Sequence, residues 1–426
     1  MKKIVEIGTF LLVFLLPWQT RWIFEQGMIN GNQNEYLTGS VYVADVVIVL
    51  VVVLLAINKY RENMIASIFK FSIKRWSAFF LFVILTAISV FWADNVMLAV
   101  QRAGWILLAA ILAFLIASFK SKTRLLFCFI SGLMLSAWLG IWQFFAQNAF
   151  ASKWLGLASH SVVDGGVSYL EIYSENSQMI RHLRSYGSFD HPNIFGYAMA
   201  LGIILVLWLF YEKKRGKNEN IFLYVALVSF SFGLFSSLSR SAFLALILAM
   251  VAVFFRIGFL KIIKPLVVVF FILATLTFWH SELIFARTDF GARLEQKSIN
   301  ERALYFNQGK EIISENVFFG VGVGNYVQEL TVKNPKDSAW TYQPVHNVFL
   351  LVWAEVGFFA MLLLLALSVS FGFYAWKKSV FHFAMWLSLL SPIFLDHWLW
   401  DLHFGVILLG FVVGITVGAN NNFESV

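Results

Sequence analysis

The chain has few of the residues that organise soluble proteins. Only 13% of its 426 residues are charged, and it contains six prolines and a single cysteine. Because Cys128 is the only cysteine, no disulfide within the chain can hold a loop in place. Hydrophobic residues make up 60% of the chain and the mean hydropathy is +0.76. This composition excludes an ordinary soluble domain and predicts an integral membrane protein.

Acidic residues are also scarce, and the 24 that are present leave a net charge of +8. The basic residues lie in short clusters between apolar runs, whereas a nucleic-acid-binding protein concentrates them on one face. We therefore expect no nucleic-acid partner.

Twelve apolar segments are long enough to cross a bilayer as helices. Their centres lie near residues 12, 49, 85, 110, 135, 202, 229, 248, 272, 360, 388 and 410. With no internal repeat and no flexible linker, residues 1–426 are predicted to form one all-α, polytopic domain. An even number of helices places both termini on one side. The first apolar run lacks a small-residue cleavage site, so we expect it to be retained as a helix.

The predicted connections differ in length and charge. Two long loops, residues 146–192 and 281–345, lie on the side opposite the termini. Outside these loops, 19 Lys and Arg residues lie on the side of the termini and three on the other. Positive charge is retained in the cytoplasm during insertion, so we expect cytoplasmic termini and extracytoplasmic long loops.

Residues 221–255 form an apolar run that is interrupted at Arg240. One helix of this length would span about 52 Å, nearly twice a hydrocarbon core, so we expect a break near Arg240. An arginine there is costly unless it reaches water, a carboxylate or an anion. Arg240 is therefore a candidate functional residue, and the alternative is a structural pair with a buried acid such as Glu355 or Asp45.

The first long loop ends in a basic stretch that leads into an apolar helix. Arg181 and Arg184 precede Pro192, which suits the first turn of that helix, with Ser188 or Asp190 as the expected cap. A helix start beside arginines favours an anion such as phosphate. The alternative is that the arginines contact lipid headgroups.

The second long loop contains a short amphipathic helix, predicted over residues 301–313, followed by Gly320, Gly322 and Gly324. The glycines have no βαβ context, so they predict a tight turn and not a nucleotide site. His346 then opens the next apolar helix, where a neutral imidazole can accept a proton from a hydroxyl. Glu355 falls on the opposite face of that helix and is interpreted as structural.

The last predicted outer turn is rich in acids and imidazoles: Asp396, His397, Asp401 and His403. Their spacing fits no established zinc pattern, and the tryptophans between them fit an interfacial belt. No metal and no cofactor is predicted.

Several of these segments resemble the O-antigen ligase and polymerase superfamily. They are Arg-Ser-Tyr-Gly-Ser-Phe-Asp-His-Pro-Asn-Ile-Phe-Gly from Arg184, Ser-Arg-Ser-Ala around Arg240, Glu-Asn-Val-Phe-Phe-Gly-Val-Gly-Val-Gly-Asn ending at Asn325, and His346-Asn347 with Gly357 ten residues later. The resemblance covers roughly residues 180–365. It extends more loosely to Leu-Pro-Trp-Gln-Thr-Arg ending at Arg21.

The resemblance implies a GT-C-like glycosyltransferase of the bacterial plasma membrane with an extracytoplasmic active site. Such enzymes move a glycan from an undecaprenyl-pyrophosphate carrier to an acceptor hydroxyl on a glycan, lipid or protein, without a metal. By resemblance, Arg184, Arg240 and Arg302 hold the pyrophosphate, and His346 deprotonates or orients the hydroxyl in one inverting displacement. Further possible substrate contacts are Arg181, His191, Asn193, Asn325 and Asn347.

The subfamily stays open. The ligase branch resembles His-[Asn/Ser/Gln]-x9-Gly with Gly, Thr or Tyr shortly after, and this chain has Ala360 there. A lipid-core ligase ranks first, because the earlier positions match and the second loop is long; a repeat-unit polymerase and a protein O-glycosylating enzyme remain. A transporter of an anionic or lipid-linked glycan is the non-enzyme alternative, but carriers place their polar groups near the bilayer midplane.

Overall fold

A computed structural model describes residues 2–57, 73–119, 121–173, 178–289, 291–335 and 338–418. The described residues are mostly helical. In chain order the α-helices are α1 Lys2–Leu15, α2 Val43–Ile57, α3 Ile73–Ile88, α4 Val96–Ser118, α5 Lys122–Ala146, α6 Pro192–Glu212, α7 Lys217–Ser237, α8 Arg240–Ile257, α9 Ile263–Trp279, α10 Ser281–Thr288, α11 Arg293–Glu315, α12 Tyr326–Lys333, α13 Val348–Val356, α14 Phe358–Lys378, α15 Val380–Leu395, α16 Trp398–Asp401 and α17 His403–Val417.

A helix covers each of the twelve predicted centres. Within the described ranges, seven helices are long and apolar enough to cross a membrane, and four further apolar helices are shorter. The chain is therefore a polytopic membrane protein, while the number of spans stays a prediction. Part of the charge count behind the predicted orientation rests on Lys59, Arg61, Lys70 and Lys120, which lie outside the described residues.

Helix α6 is the centre of the bundle. It packs against α5, α7, α8 and α15. In its apolar stretch, 89% of the residues are buried, so other helices surround it. A helix in this position must be hydrophobic on every side, and α6 is. Pro192 begins it, as predicted, but neither Ser188 nor Asp190 caps it. The His191 ring nitrogen Nδ1 accepts the backbone N–H of Asn193 at 3.1 Å instead.

The expected break near Arg240 is confirmed. Helix α7 ends at Ser237, Leu238 adopts a left-handed conformation with φ 48°, and Ser239 caps α8. Arg240 is therefore the first residue of α8, at the end of an apolar helix. A single helix over residues 221–255 does not form.

The all-α prediction missed three small two-stranded antiparallel sheets in the loops. Strand β1 (Arg21–Glu25) pairs with β4 (Gly39–Tyr42), β2 (Met28–Ile29) with β3 (Asn32–Gln33), and β5 (Tyr169–Tyr173) with β6 (Met179–Leu183). Their aromatic and β-branched residues favour extended backbone, and outside the apolar runs a hairpin satisfies its backbone hydrogen bonds without a helix. These short strands escape an analysis that reads for 20-residue apolar segments.

The second long loop contains more helix than predicted, because α11 begins at Arg293 and reaches Glu315. The glycine turn that follows packs against α13 and the start of α4. Gly320, Gly322 and Gly324 have φ values of 67°, 94° and 74°, and the Gly322 N–H donates to the Glu355 carbonyl at 2.8 Å. A Cβ on Gly320 would lie 2.5 Å from that same carbonyl oxygen. The glycines therefore serve close packing of backbone on backbone.

Candidate active site

Three side chains from two connections between helices meet at one place. His346 precedes α13, while Asp396 and His397 occupy the connection between α15 and α16. One ring nitrogen or carboxylate oxygen from each lies within 4.8 Å of the others, a spacing that also suits a shared cation. The rings of His346 and His397 meet edge to face, with centroids 4.8 Å apart. His346 is distant in sequence from Asp396 and His397, and the bundle brings them together.

His397 is held by a carboxylate of its own. Its ring Nδ1 lies 3.0 Å from both oxygens of Asp401, one helical turn later. Its backbone N–H donates to Asp396 at 2.9 Å, which fixes the other end of the residue. Burial opposes the protonated imidazole, but Asp401 and Asp396 outweigh it and raise the pKa of His397.

His346 has a different environment. Its ring stacks on Tyr305 of α11, with centroids 5.5 Å apart and planes 8° from parallel. Among the described residues its Nδ1 has no hydrogen-bond partner, although the atom is buried. Burial is the main cause that lowers the pKa of His346 to about 4, and the neighbouring His397 adds to it. At neutral pH the His346 imidazole is therefore uncharged.

Asn193 links this cluster to Arg184. Its side-chain N–H donates to Asp396 at 3.3 Å, and its carbonyl oxygen accepts from the Arg184 guanidinium at 2.9 Å. Arg184 is 5% exposed and also donates to the Ser237 carbonyl. The sequence placed Arg184 and Asn193 near one helix start, and the structure adds their connection to Asp396.

Arg240 and Arg287 share one buried carboxylate. Arg240 donates to Glu295 of α11 at 2.5 Å, and Arg287 of α10 donates to the other oxygen of the same group. Glu295 is 2% exposed, whereas 36% of the Arg240 side chain is exposed. The acid beside Arg240 is therefore Glu295.

The two acids named as alternative partners of Arg240 have other contacts. Glu355 accepts from the Trp400 indole at 2.7 Å, and Asp45 lies 2.8 Å from the His403 ring. Glu355 thus faces a neighbouring helix.

Arg302 lies on the face of α11 that covers the site. Glu295, Arg302 and Tyr305 fall within about 100° of one another around the helix. Arg302 is exposed, and its charge contributes to the lowered pKa values of His346 and Arg287. Arg184 likewise experiences the charges of Arg240 and Arg287. Four guanidinium groups therefore lie in this region with two carboxylates, Glu295 and Asp396, so positive charge is in excess.

Four other residues that were expected as possible substrate contacts bond to neighbouring parts of the chain. Arg181 lies on β6, stacks on Tyr169 and donates to the Val162 carbonyl. Asn325 is 1% exposed and bonds to the backbone of Asn95, away from the imidazole cluster.

The other two of these contacts cap helices close to the cluster. Asn347 caps α13 by accepting the Leu350 N–H at 3.0 Å. His191 caps α6, and its Nε2 lies 3.2 Å from the Ser168 hydroxyl.

Five residues of this region are absent from the site predicted from sequence: Arg287, Glu295, Asp396, His397 and Asp401. For the last three the available signal is the dense acid and imidazole content near residue 396, which fits no zinc spacing but does mark a polar cluster. For Glu295 the signal was its spacing of seven residues from Arg302 on a helix.

A large apolar cavity begins beside the imidazole cluster. It has a volume of about 500 Å³ and lies between α3, α4, α14, α15 and α17. Val348 and Phe349, which follow His346 and Asn347, line one end together with Trp400, and Lys377 lines it further along α14. The cavity lining thus includes residues that follow members of the imidazole cluster in sequence.

Comparison with known proteins agrees with the resemblance to the O-antigen ligase family. Residues 225–365, about a third of the chain, match the family model described as O-antigen ligase. No curated protein matches the chain. The matched segment contains Arg240, Arg287, Glu295, Arg302 and His346, and the remaining site residues lie on either side of it. Residues 225–365 of this multi-pass membrane protein are thus similar to the O-antigen ligase family.

Proposed function

We propose that the protein is a glycosyltransferase that moves a glycan from an undecaprenyl-pyrophosphate carrier to an acceptor hydroxyl. The observation that carries this proposal is the excess of positive charge around Glu295 and Arg184, next to the imidazole cluster. Arg184 is buried and Arg287 is largely buried, and guanidinium groups in such a place are costly unless an anion neutralises them. Arginine is also the side chain best suited to bind phosphate through two parallel hydrogen bonds.

Arg184, Arg240, Arg287 and Arg302 would hold the pyrophosphate. As the bond between the anomeric carbon and the phosphate oxygen breaks, negative charge grows on that oxygen. Fixed guanidinium groups stabilise this charge without any reorganisation, which lowers the barrier. We propose that they do this without a divalent ion.

The acceptor hydroxyl would approach from the side of His346. At neutral pH this imidazole is neutral, so it can form a hydrogen bond with a hydroxyl and orient it toward the anomeric carbon. One displacement then inverts that carbon. We place the reaction on the extracytoplasmic side of the plasma membrane, with both termini in the cytoplasm.

The apolar cavity supports a lipid-linked substrate, because its lining includes Val348 and Phe349, which follow His346 and Asn347 in the chain. A volume of about 500 Å³ holds a substantial part of an isoprenoid chain. Among the acceptor classes we propose a ligase-like reaction first; a repeat-unit polymerase and a protein O-glycosylating enzyme use the same chemistry.

The test is transfer by the purified protein, reconstituted with an undecaprenyl-pyrophosphate-linked glycan and candidate acceptors, with products identified by mass spectrometry. We expect His346→Ala and Arg240→Ala to abolish transfer in protein that is still inserted and folded. Arg181→Ala is the matched control, because this arginine lies in the same loop as Arg184 but contacts Tyr169. Full activity of either site variant contradicts the mechanism, and a carrier would give no product at all.

A further inference from the structure

The pair formed by His397 and Asp401 has no role in the reaction as described above. We propose that His397, oriented by Asp401, is the group that takes the proton from the acceptor hydroxyl, while His346 positions that hydroxyl. This inference rests on the proposed transfer reaction and assigns proton transfer and positioning of the hydroxyl to two different imidazoles.

The hydrogen bonds around His397 determine which ring nitrogen is available. Nδ1 lies 3.0 Å from both oxygens of Asp401, so Nδ1 carries the hydrogen and Nε2 has the free lone pair. Nε2 is 3.9 Å from an oxygen of Asp396, and the rings of His397 and His346 meet edge to face. Among the described residues, Asp401 accepts no hydrogen bond from any other side chain. An imidazole with a dedicated buried carboxylate behind it is the arrangement that enzymes use for a general base.

His346 lacks this arrangement. No carboxylate bonds to its ring, and its Nδ1 has no partner within the part of the chain that the structure describes. Its other main contact is the face of Tyr305, which holds the ring flat but stabilises no added charge as a carboxylate would. Burial, His397 and Arg302 oppose a proton on His346 and outweigh Asp396 and the Pro344 backbone, which favour it. This ring is therefore suited to hold a hydroxyl and poorly suited to deprotonate it.

The charged and titratable groups that face His397 come from four segments. Asp401 and Asp396 flank it on its own connection, and His346 approaches from the start of α13. Tyr36 meets its ring from the loop between β3 and β4, and His191 interacts with it electrostatically from the start of α6. The two carboxylates stabilise an imidazolium at His397, and the neutral ring of His346 does not oppose it. The positive charge that forms when His397 takes the proton is therefore balanced by carboxylates that are already in place.

The step is balanced as a single displacement. The acceptor oxygen forms a bond to the anomeric carbon, while the bond from that carbon to the pyrophosphate oxygen breaks. The hydroxyl proton moves to Nε2 of His397. The electron pair of the broken bond stays on the carrier pyrophosphate, which the arginines hold, and His397 later releases its proton to water.

The pH dependence of kcat/KM distinguishes the two imidazoles. Activity requires an unprotonated base, so it falls as the pH drops below the pKa of that base. With His397 as the base, we expect the acid limb of the wild-type profile above pH 6.5, because its pKa is raised. With His346 as the base, the limb would lie near pH 4.

Variants of Asp401 provide the second readout. Asp401→Asn removes the charge that raises the pKa of His397, so the acid limb should move to lower pH and the plateau should fall by roughly 100-fold or more. Asp401→Glu should recover part of the activity. Conversely, His346→Gln should lower the plateau and leave the acid limb in place.

The outcomes separate this inference from the proposed function. If wild-type protein transfers glycan but Asp401→Asn keeps the wild-type profile and rate, the role of His397 is wrong and the transferase remains. If wild-type protein forms no product with any acceptor, the proposed function itself fails. Donor binding by Asp401→Asn, measured with the lipid-linked glycan, shows that the variant is folded. Loss of wild-type activity in chelator and its recovery with a divalent ion would also overturn the inference, because His397 would then bind metal.

Discussion

Arg240 can be a structural partner of Glu295 or a ligand of the pyrophosphate, and a double-mutant cycle separates the two roles. The variants are Arg240→Gln, Glu295→Gln and the combination of both. Each keeps the approximate size of the side chain and removes its charge. Stability and transfer are measured on the same purified preparations, by thermal unfolding and by initial rate.

The stability arm of the cycle follows from burial. Removal of one partner from a buried ion pair typically costs about 3–5 kcal/mol. Here the cost should be smaller, about 1–3 kcal/mol, because 36% of the Arg240 side chain is exposed and solvent screens its charge. Glu295→Gln should be the more damaging single change, since it leaves both Arg240 and Arg287 without their carboxylate. The double variant should lose less stability than the two single variants added together.

The activity arm behaves differently if Arg240 binds substrate. Loss of one fixed donor to a developing oxyanion costs about 2.7 kcal/mol or more, which is about 100-fold in rate. Arg240→Gln and the double variant should both show this loss, while Glu295→Gln retains all four guanidinium groups and should stay within about tenfold of wild type. If the double variant recovers both stability and wild-type activity, Arg240 is only structural and the reasoning is refuted.

Three further predictions test the site and its support. Arg240→Lys should lose transfer in the same assay, because an ammonium cannot present two parallel donors to phosphate; wild-type activity would argue against that contact. Leu367→Trp, on the cavity wall, should raise the KM for the lipid-linked donor more than tenfold by displacing about two methylene groups, at ~0.8 kcal/mol each. Leu365→Trp, which is 41% exposed and outside the cavity, is its control, and equal effects would refute the assignment. Gly357→Ala should destabilise the protein by about 3 kcal/mol or more in thermal unfolding, because φ is 97° and the new Cβ would lie 2.0 Å from the Phe318 carbonyl oxygen; an unchanged midpoint would contradict this packing.

The helices could be predicted from sequence because their signal is local. A bilayer demands about 20 apolar residues in a row, so each centre is visible without knowledge of any other segment. The break before Arg240 was visible for the same reason, since a continuous helix would be too long. The short strands β1 to β6 have no such constraint, and their pairing depends on loop contacts that composition does not encode.

The arginines were found because each is costly where it stands, and this cost is a property of one residue in its own segment. Their partner was not found for the opposite reason. Glu295 looks like an ordinary surface acid of a polar helix, and it becomes buried only when α11 folds over Arg240. Glu355 and Asp45, the buried acids considered as alternative partners of Arg240, lie in apolar runs and pair with Trp400 and His403 instead.

The face of α11 that covers the site depends on both local and long-range information. Its residues can be predicted from helical periodicity, but their contacts cannot. Glu295, Arg302, Tyr305, Gly309 and Ile312 recur at steps of seven, three, four and three residues, the spacing of one helical face. A glycine on such a face permits close approach, and here a Cβ on Gly309 would lie 3.2 Å from Val345, beside His346. The same face therefore carries the acid that holds Arg240, the candidate phosphate ligand Arg302 and the ring that supports His346. Periodicity predicts that these residues point one way, and only the long-range contact with His346 reveals what they point at.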